Sequence, residues 1–324
     1  MKHTREELAE LQSLPLEEKV LRTQTRIIEW YLKHKGKVYV SFSGGKDSTV
    51  LLHIVRQIYP DVPAVYCDTG LEFPEVKEHV KRFDNVVILR PKMSFCEVLN
   101  KYGWCYPGKM AAHAIHYAKE GKQWAINILN GKDSEGKPVP FYNKYLKWRF
   151  LIDSPFKISD ACCDVMKKRP IHEYIKATGR FPIIGTMADE SRARQTAWLK
   201  NGCNSFDDKN QKSAPLSFWT QQDIFAYIVE NDLPIPSVYG DIVEGNDGIY
   251  RTTGEQRTGC MFCPVGCHLE KDNRWIRMRH THPKIYDYCM EQLGLRELLE
   301  YVGEHLHKDF FEEQLSLFDG EKLA

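Results

Sequence analysis

Apolar and polar positions alternate along the chain in two rhythms, and these predict most of its elements. Between residues 4 and 34, Leu8, Leu11 and Leu14, then Val20, Leu21, Ile27, Ile28 and Tyr31, recur at helical spacing. Pro15 divides this stretch into two helices, because proline removes a backbone donor and clashes with the preceding turn. The run Lys37–Phe42 is β-branched and aromatic, as in a buried strand, whereas Thr49–Val55 returns to helical spacing. Further strands are expected at Val62–Asp68, Val86–Leu89 and Phe181–Thr186. Residues 91 to 150 lack a sustained rhythm and look like an insertion that holds a basic helical piece and a polar turn at Asn130–Pro138. Thr220 and Asp223 carry the spacing of a helix N-terminus, and residues 283 to 317 read as helices.

Composition narrows the picture. Lys+Arg 45 against Asp+Glu 44 gives a net charge of +1, so no global field draws the chain to nucleic acid or membrane. The basic cluster from Arg274 to Lys284 keeps a nucleic-acid acceptor open. There is no apolar run of about 18 residues and no apolar stretch after the first residues, so no membrane span or secretion signal is expected. The expected location is the cytoplasm. There the ten cysteines are reduced thiols or metal ligands rather than disulfides.

The first candidate chemistry lies between the first strand and its helix, at Ser43-Gly44-Gly45-Lys46-Asp47-Ser48. A strand, a glycine turn and a helix N-terminus leave backbone N–H groups free for an anion, and the helix dipole favours negative charge. The spacing is not that of the Walker loop. It resembles the PP-loop of the adenine-nucleotide alpha-hydrolase superfamily, which includes ATP pyrophosphatases and sulfonucleotide reductases. Asp68-Thr69-Gly70 followed by Phe73-Pro74-Glu75 resembles the segment after the second strand in the phosphoadenylyl-sulfate (PAPS) reductase group. Gly185 with Glu190, Ser191 and Arg194 is similar to that group's Gly-x-x-x-x-Glu-Ser-x-x-Arg motif. Pro215-Leu216 with Trp219-Thr220 and Asp223 resembles a further block of it. The resemblance runs in blocks from about residue 36 to 290. It implies a doubly wound, mostly parallel α/β sheet with helical N- and C-terminal additions. It also implies a nucleotide held by residues 43–48, Asp68, Glu190, Arg192 and Arg194, with Lys46 and Asp47 as catalytic candidates. Arginine suits phosphate or sulfate because its fork bonds both oxygens.

Cys162-Cys163 and Cys260-x-x-Cys263 supply four thiols, enough for a [4Fe–4S] cluster or a tetrahedral zinc. Their basic neighbours, Lys167-Lys168-Arg169 and Arg257, are expected to favour thiolate. Adjacent cysteines joined to a distant Cys-x-x-Cys match the cluster-binding members of the PAPS/APS reductase group, which implies iron–sulfur. Cys267 is a fifth candidate, as a replacement ligand, a sulfur carrier or a packing residue. Those reductases attack the sulfonucleotide with a cysteine in a C-terminal tail. Residues His305 to Ala324 contain none.

Three domain segments are expected: a helical lead-in at 1–35, a PP-loop domain at 36–240 and a cysteine loop with helices at 241–324. The leading function is a PP-loop enzyme of sulfur metabolism that activates an acceptor with ATP and Mg²⁺ and transfers sulfur. Its sulfur would come from a donor such as a cysteine desulfurase. The first alternative is PAPS or adenylyl-sulfate (APS) reduction with a thiol electron donor. The second, of another class, is a non-catalytic nucleotide-binding redox sensor. Oligomeric state is not legible in the sequence.

Overall fold

The computed structural model describes residues 2–207, 211–270 and 273–311. Two compact units emerge, one of residues 1–92 with 167–261 and one of 93–166 with 262–324. The chain therefore leaves the first unit and returns to it. The stretch read as an insertion belongs to the second unit, and residues 241–261 belong to the first.

The first unit opens with helices α1 (Arg5–Ser13) and α2 (Leu16–Lys33), divided at Pro15 as its chemistry requires. Strand β1 (Val38–Ser41) leads through α3 (Lys46–Ile58) to β2 (Ala64–Cys67), then through α4 (Pro74–Val80) to β3 (Val86–Leu89). In the second unit follow α5 (Phe95–Tyr102), α6 (Lys109–Lys119), α7 (Gln123–Leu129) and the single turn α8 (Ala161–Cys163). Back in the first unit come α9 (Arg169–Thr178), β4 (Phe181–Ile184), α10 (Arg192–Asn201), β5 (Asn204–Ser205), β6 (Lys212–Ser213) and α11 (Gln221–Glu230). The hairpin β7 (Ile242–Glu244) and β8 (Tyr250–Thr252) ends this unit. The second unit resumes with α12 (Arg274–Thr281), α13 (Pro283–Asp287) and α14 (Leu295–Leu306). Of the helices read at 283 to 317, residues 312–317 lie outside the described residues, as does the tail beyond 311.

The main sheet has the order β3-β2-β1-β4-β6-β5. Every pairing is parallel except the short β5–β6 edge. From β1 the chain winds outward to β3, then starts again on the other side of β1 with β4. That reversal is the doubly wound arrangement, and it opens a crevice at the C-terminal ends of β1 and β4, where ligands bind in such sheets. Val38, Tyr39 and Val40 are all buried, as expected of a central parallel strand covered on both faces.

Around the sheet, Ile27 and Trp30 of α2, Val50, Leu51 and Ile54 of α3, and Trp219 and Ile224 by α11 form one core. Thr220 and Asp223 close a reciprocal capping box at the start of α11. Asp223 also takes the ammonium of the buried Lys19 on both oxygens, at 2.8 and 2.7 Å, tying α2 to α11. In the second unit Ile115, Leu129, Leu151, Trp275, Leu295, Leu298 and Leu299 are buried. No described helix is long and apolar enough to cross a membrane.

Candidate functional site

The Ser43–Ser48 loop lies at the C-terminal end of β1, in the crevice that the topology predicts. Gly44 has φ +74°, a left-handed conformation that glycine adopts without strain. A Cβ there would fall 2.6 Å from Val80 and 2.8 Å from Val76, so the loop rests directly on α4. Gly45 is the N-cap of α3. Its carbonyl accepts three hydrogen bonds, from the Thr49 amide at 3.0 Å, the Ser48 hydroxyl at 2.9 Å and the Thr49 hydroxyl at 3.1 Å.

Because the Thr49 hydroxyl proton goes to Gly45, its oxygen accepts from His79 Nε2–H at 3.1 Å. His79 is buried in α4, its Nδ1 has no partner, and burial pushes its pKa down to about 4. The ring is therefore neutral at pH 7, with its proton on Nε2. Val76, His79 and Val80 thus brace the loop from one helical face, at the spacing that puts side chains together.

A cavity of about 210 Å³ is lined by Ser43, Gly45, Lys46, Asp47, Asp189, Glu190 and Gln221, and further by Met187, Tyr239, Arg257 and Thr258. Lys46 is only 3% exposed. Its ammonium pairs with Asp47 at 2.9 Å and lies 5.6 and 5.8 Å from the ring centroids of Phe225 and Tyr239. The Tyr239 hydroxyl accepts from the Lys46 amide at 3.3 Å and shares a 2.7 Å hydrogen bond with Thr258. Burial pushes the tyrosine up to about 12, so it stays a neutral phenol. Replacing Tyr239 by phenylalanine should weaken nucleotide binding by about 1 kcal/mol, the net worth of a neutral hydrogen bond. Titration calorimetry checks this, and an unchanged affinity would leave Tyr239 as packing alone.

The remaining expected residues divide. Glu190 accepts from the Met187 amide at 2.9 Å and pairs with Arg194. Burial lowers the Arg194 pKa, Arg257 adds to the effect, and Asp47 opposes it; Arg194 is not among the lining residues and meets the cavity through its pairing with Glu190. Gly44 faces α4, and Ser48 turns inward, where it also accepts from the Ser43 amide at 3.2 Å. Both organise the loop rather than line the cavity. Arg192 is exposed on the first turn of α10 and is not among the lining residues. Asp68 does not line it either. It accepts from the Gly70 amide at 3.3 Å and pairs with Lys77 at 2.9 Å and Arg90 at 3.7 Å. Burial raises its pKa, but Lys77, the Gly70 amide and Arg90 together outweigh this and the net shift is downward.

Asp189, Gln221, Tyr239, Arg257 and Thr258 were not singled out as nucleotide ligands by sequence. The hairpin explains the last three. Gly254 donates to Tyr239 O at 2.8 Å and Glu255 to Val238 O at 2.9 Å, which returns the chain to the loop. A Cβ on Gly254 would lie 2.4 Å from Val238 O, so only glycine permits this closure. The usable sequence signal was that glycine, not the residues it delivers.

The thiols are distributed over both units. Cys260 lies in the first, where Lys167 reaches it and also Glu72, at 3.4 Å. Cys162, Cys163 and Cys263 lie in the second. Arg274 fixes the Cys-x-x-Cys loop there by donating to Cys263 O at 2.7 Å and pairing with Glu270. Burial raises the Cys263 pKa and the nearby Cys163 adds to it, while the Val265 amide and Arg274 lower it. The net shift is upward, so desolvation outweighs the basic surroundings that favoured thiolate in the sequence. Cys105, which the sequence did not single out, joins this thiol group and is pushed up to about 12 by burial and by Cys263 and Cys163. Cys267 is buried and also pushed up to about 12, so it is a protonated thiol at neutral pH. Among the described residues, no group of three or more His, Cys, Asp or Glu side chains is arranged to hold a metal ion.

Comparison with known proteins matches the phosphoadenosine phosphosulfate reductase domain to residues 37–105 and 114–269. An uncharacterized protein of Methanocaldococcus jannaschii is 25% identical over 85% of this chain, which spans only 53% of that protein's length. An adenosine 5'-phosphosulfate reductase of Bacillus cereus is 23% identical over 76% of this chain and 83% of its own length. One from Staphylococcus haemolyticus is 24% identical, over 66% and 70%. Among solved structures, a PAPS reductase from Candida auris in its phosphate complex aligns with a TM-score of 0.39 and 17% identity, covering 73% of this chain and 91% of that one. With its domain matched over more than half its length, the chain belongs to the phosphoadenosine phosphosulfate reductase domain family.

Proposed function

We propose that this chain is an adenine-nucleotide enzyme of sulfur metabolism that cleaves ATP to AMP and pyrophosphate while activating an acceptor for sulfur transfer. The observation that carries this reading is the charge of the cavity. Lys46 and Arg257 face Asp47, Asp189 and Glu190 around the loop. Asp47 is paired with Lys46 and Glu190 with Arg194, so carboxylates and cations are interspersed around the loop, an arrangement that suits a magnesium-bound triphosphate, whose metal takes carboxylates and whose phosphates take cations. Mg²⁺ needs only one or two carboxylates plus substrate phosphates, so no preformed three-residue metal group is required. At about 210 Å³ the cavity is sized for a phosphate chain rather than a whole nucleotide, since whole-ligand pockets run to about 300–1,000 Å³.

In this reading the acceptor's oxygen attacks the α-phosphate and the bond to pyrophosphate breaks, its electron pair leaving with Mg-pyrophosphate. A hydrosulfide-level sulfur nucleophile then attacks the acceptor's carbon, and AMP departs with the electron pair of the C–O bond. The chain's own contribution is to bind and orient. Lys46 holds the phosphates at the loop, and Arg194 and Arg257 stabilise charge that builds on the leaving group.

Cys162, Cys163, Cys260 and Cys263 remain the proposed ligands of a [4Fe–4S] cluster, which would supply electron storage or a sulfur-binding iron. The paired spacing in the sequence supports this, while among the described residues the four thiols are not gathered into a metal-holding group. No step above runs through it. Protein purified without oxygen should contain iron that each of the four Cys→Ser changes depletes and Cys96→Ser does not. Iron retained in all four variants rejects the assignment.

The second reading is sulfonucleotide reduction, favoured by the relatives named adenosine 5'-phosphosulfate reductase. Incubation with Mg-ATP, with and without candidate acceptors, should release AMP and pyrophosphate. Release of sulfite from APS with a thiol, and no pyrophosphate from ATP, would reverse the order of the two readings. In either case, Arg194→Ala and Arg257→Ala should each weaken nucleotide binding by about 1.5–3 kcal/mol, the worth of a charge-assisted hydrogen bond. Affinities unchanged within about twofold, well under 1 kcal/mol, would remove these arginines from the site.

A further inference from the structure

A second, larger cavity of about 990 Å³ lies on one face of the main sheet, apart from the residues of the nucleotide cavity. Its floor is apolar. Tyr39 and Ser41 of β1 stand in register with Pro182 and Ile184 of β4, so all four project to the same face. Ile171 and Ile175 of α9 form one wall. The rim is cationic. Lys168, the residue just before α9, and His172 and Lys176 on α9 follow at four-residue intervals, about 6 Å apart along the axis, and Arg180 and Lys212 add further cations to the lining. No carboxylate lines this cavity among the described residues.

We infer that this groove docks an acidic amphipathic helix of a partner protein. Carboxylates at four-residue spacing on such a helix have the same repeat as the Lys168–His172–Lys176 ladder, and its aliphatic face fits the isoleucine and proline floor. The charge complementarity is one-sided, which sets orientation and encounter rate as well as affinity. Single-stranded nucleic acid fits less well, because it binds through aromatic platforms on which bases stack. The two aromatic rings in the lining are already engaged. Tyr39 meets Tyr174 edge-on at 5.3 Å, and Phe181 stacks on His34 at 3.7 Å.

The test uses the full chain and a fluorescent helical peptide of about five turns, with leucines along one face and glutamates on both flanks. Anisotropy at physiological salt should show saturable binding, weakened roughly tenfold or more by the exposed-site variant Lys168→Glu/Lys176→Glu. Ile175→Asp, checked for folding by circular dichroism, should weaken it similarly, whereas Lys33→Glu on α2 should not. A peptide of the same composition with its apolar face scrambled should bind more weakly. Equal binding of the scrambled peptide, indifference to the double charge reversal, or tighter binding of an oligothymidylate strand than of the peptide would each overturn the proposal.

Discussion

Replacing Gly44 by alanine is expected to abolish nucleotide binding at concentrations that saturate the wild type, while leaving a folded but weakened protein. Two costs combine. Alanine at φ +74° incurs the left-handed penalty of about 1–2 kcal/mol. Its methyl would also enter space held by Val76 and Val80, 2.8 and 2.6 Å away, and overpacking of this kind costs about 1–3 kcal/mol. The sum is smaller than the about 5–15 kcal/mol that holds a typical domain together, so the fold survives. The cheapest relief is for α4 to move away from the loop. That movement carries His79 off Thr49, whose hydroxyl bonds the Gly45 carbonyl, and so shifts the loop at the cavity. Gly70 supplies the control. It too has a left-handed φ, +78°, but a Cβ there meets nothing within 4 Å. Gly70→Ala should therefore lose only the backbone term and bind nucleotide normally. Calorimetry with ATP, APS and PAPS, with thermal melts of both variants, separates the two. Wild-type affinity in Gly44→Ala would show that α4 does not brace the loop.

The contrast between these two glycines indicates how far sequence alone could reach. The loop, its strand and its helix were legible because the chemistry is local: an apolar run, two glycines and a helical rhythm lie within some twenty consecutive residues. Asp223 was legible as a cap for the same reason, but its second role as partner to Lys19 was not, because that contact joins residues 204 positions apart. Asp68 shows a second contact that sequence does not reveal. An acidic residue at a strand end has the right place for a ligand, yet Lys77 on the following helix and Arg90 at the end of β3 take up its charge. Arg257 and Thr258 reach the loop only because the β7–β8 hairpin folds back on Val238 and Tyr239. No periodicity announces such a return. The cysteines illustrate a different limit. Basic neighbours in sequence argue for low thiol pKa values, but burial, which depends on the whole fold, drives Cys263, Cys105 and Cys267 upward. Their chemistry is then set by what approaches them, and a thiol so placed ionises when a metal replaces its proton.

The same dependence on burial makes the loop sensitive to acid. His79 titrates near 4 in the folded chain and near 6.5 when unfolded. Between these values the unfolded state binds a proton that the folded state refuses, so stability falls as pH drops from about 6.5 to about 4 and levels off below. Integrated over that window, the loss is about 3 kcal/mol. The physical origin is Nδ1. As a bare lone pair it is buried without a partner; once protonated it becomes a buried charged N–H with none. His268 of the second unit, also held near 4 by burial, contributes in the same direction. The variant that isolates His79 is His79→Gln, whose amide can still donate to Thr49 and does not titrate. Denaturant unfolding at pH 7 and at pH 4.5 should show a smaller acid loss in His79→Gln than in the wild type, by an amount on the order of 2–3 kcal/mol. Nucleotide affinity at pH 7 should be largely retained in His79→Gln and lost in His79→Leu, which cannot donate. Equal acid losses in wild type and His79→Gln would show that the ring is not held neutral. Full affinity in His79→Leu would show that the Gly45 carbonyl is fixed by Ser48 and the helix alone.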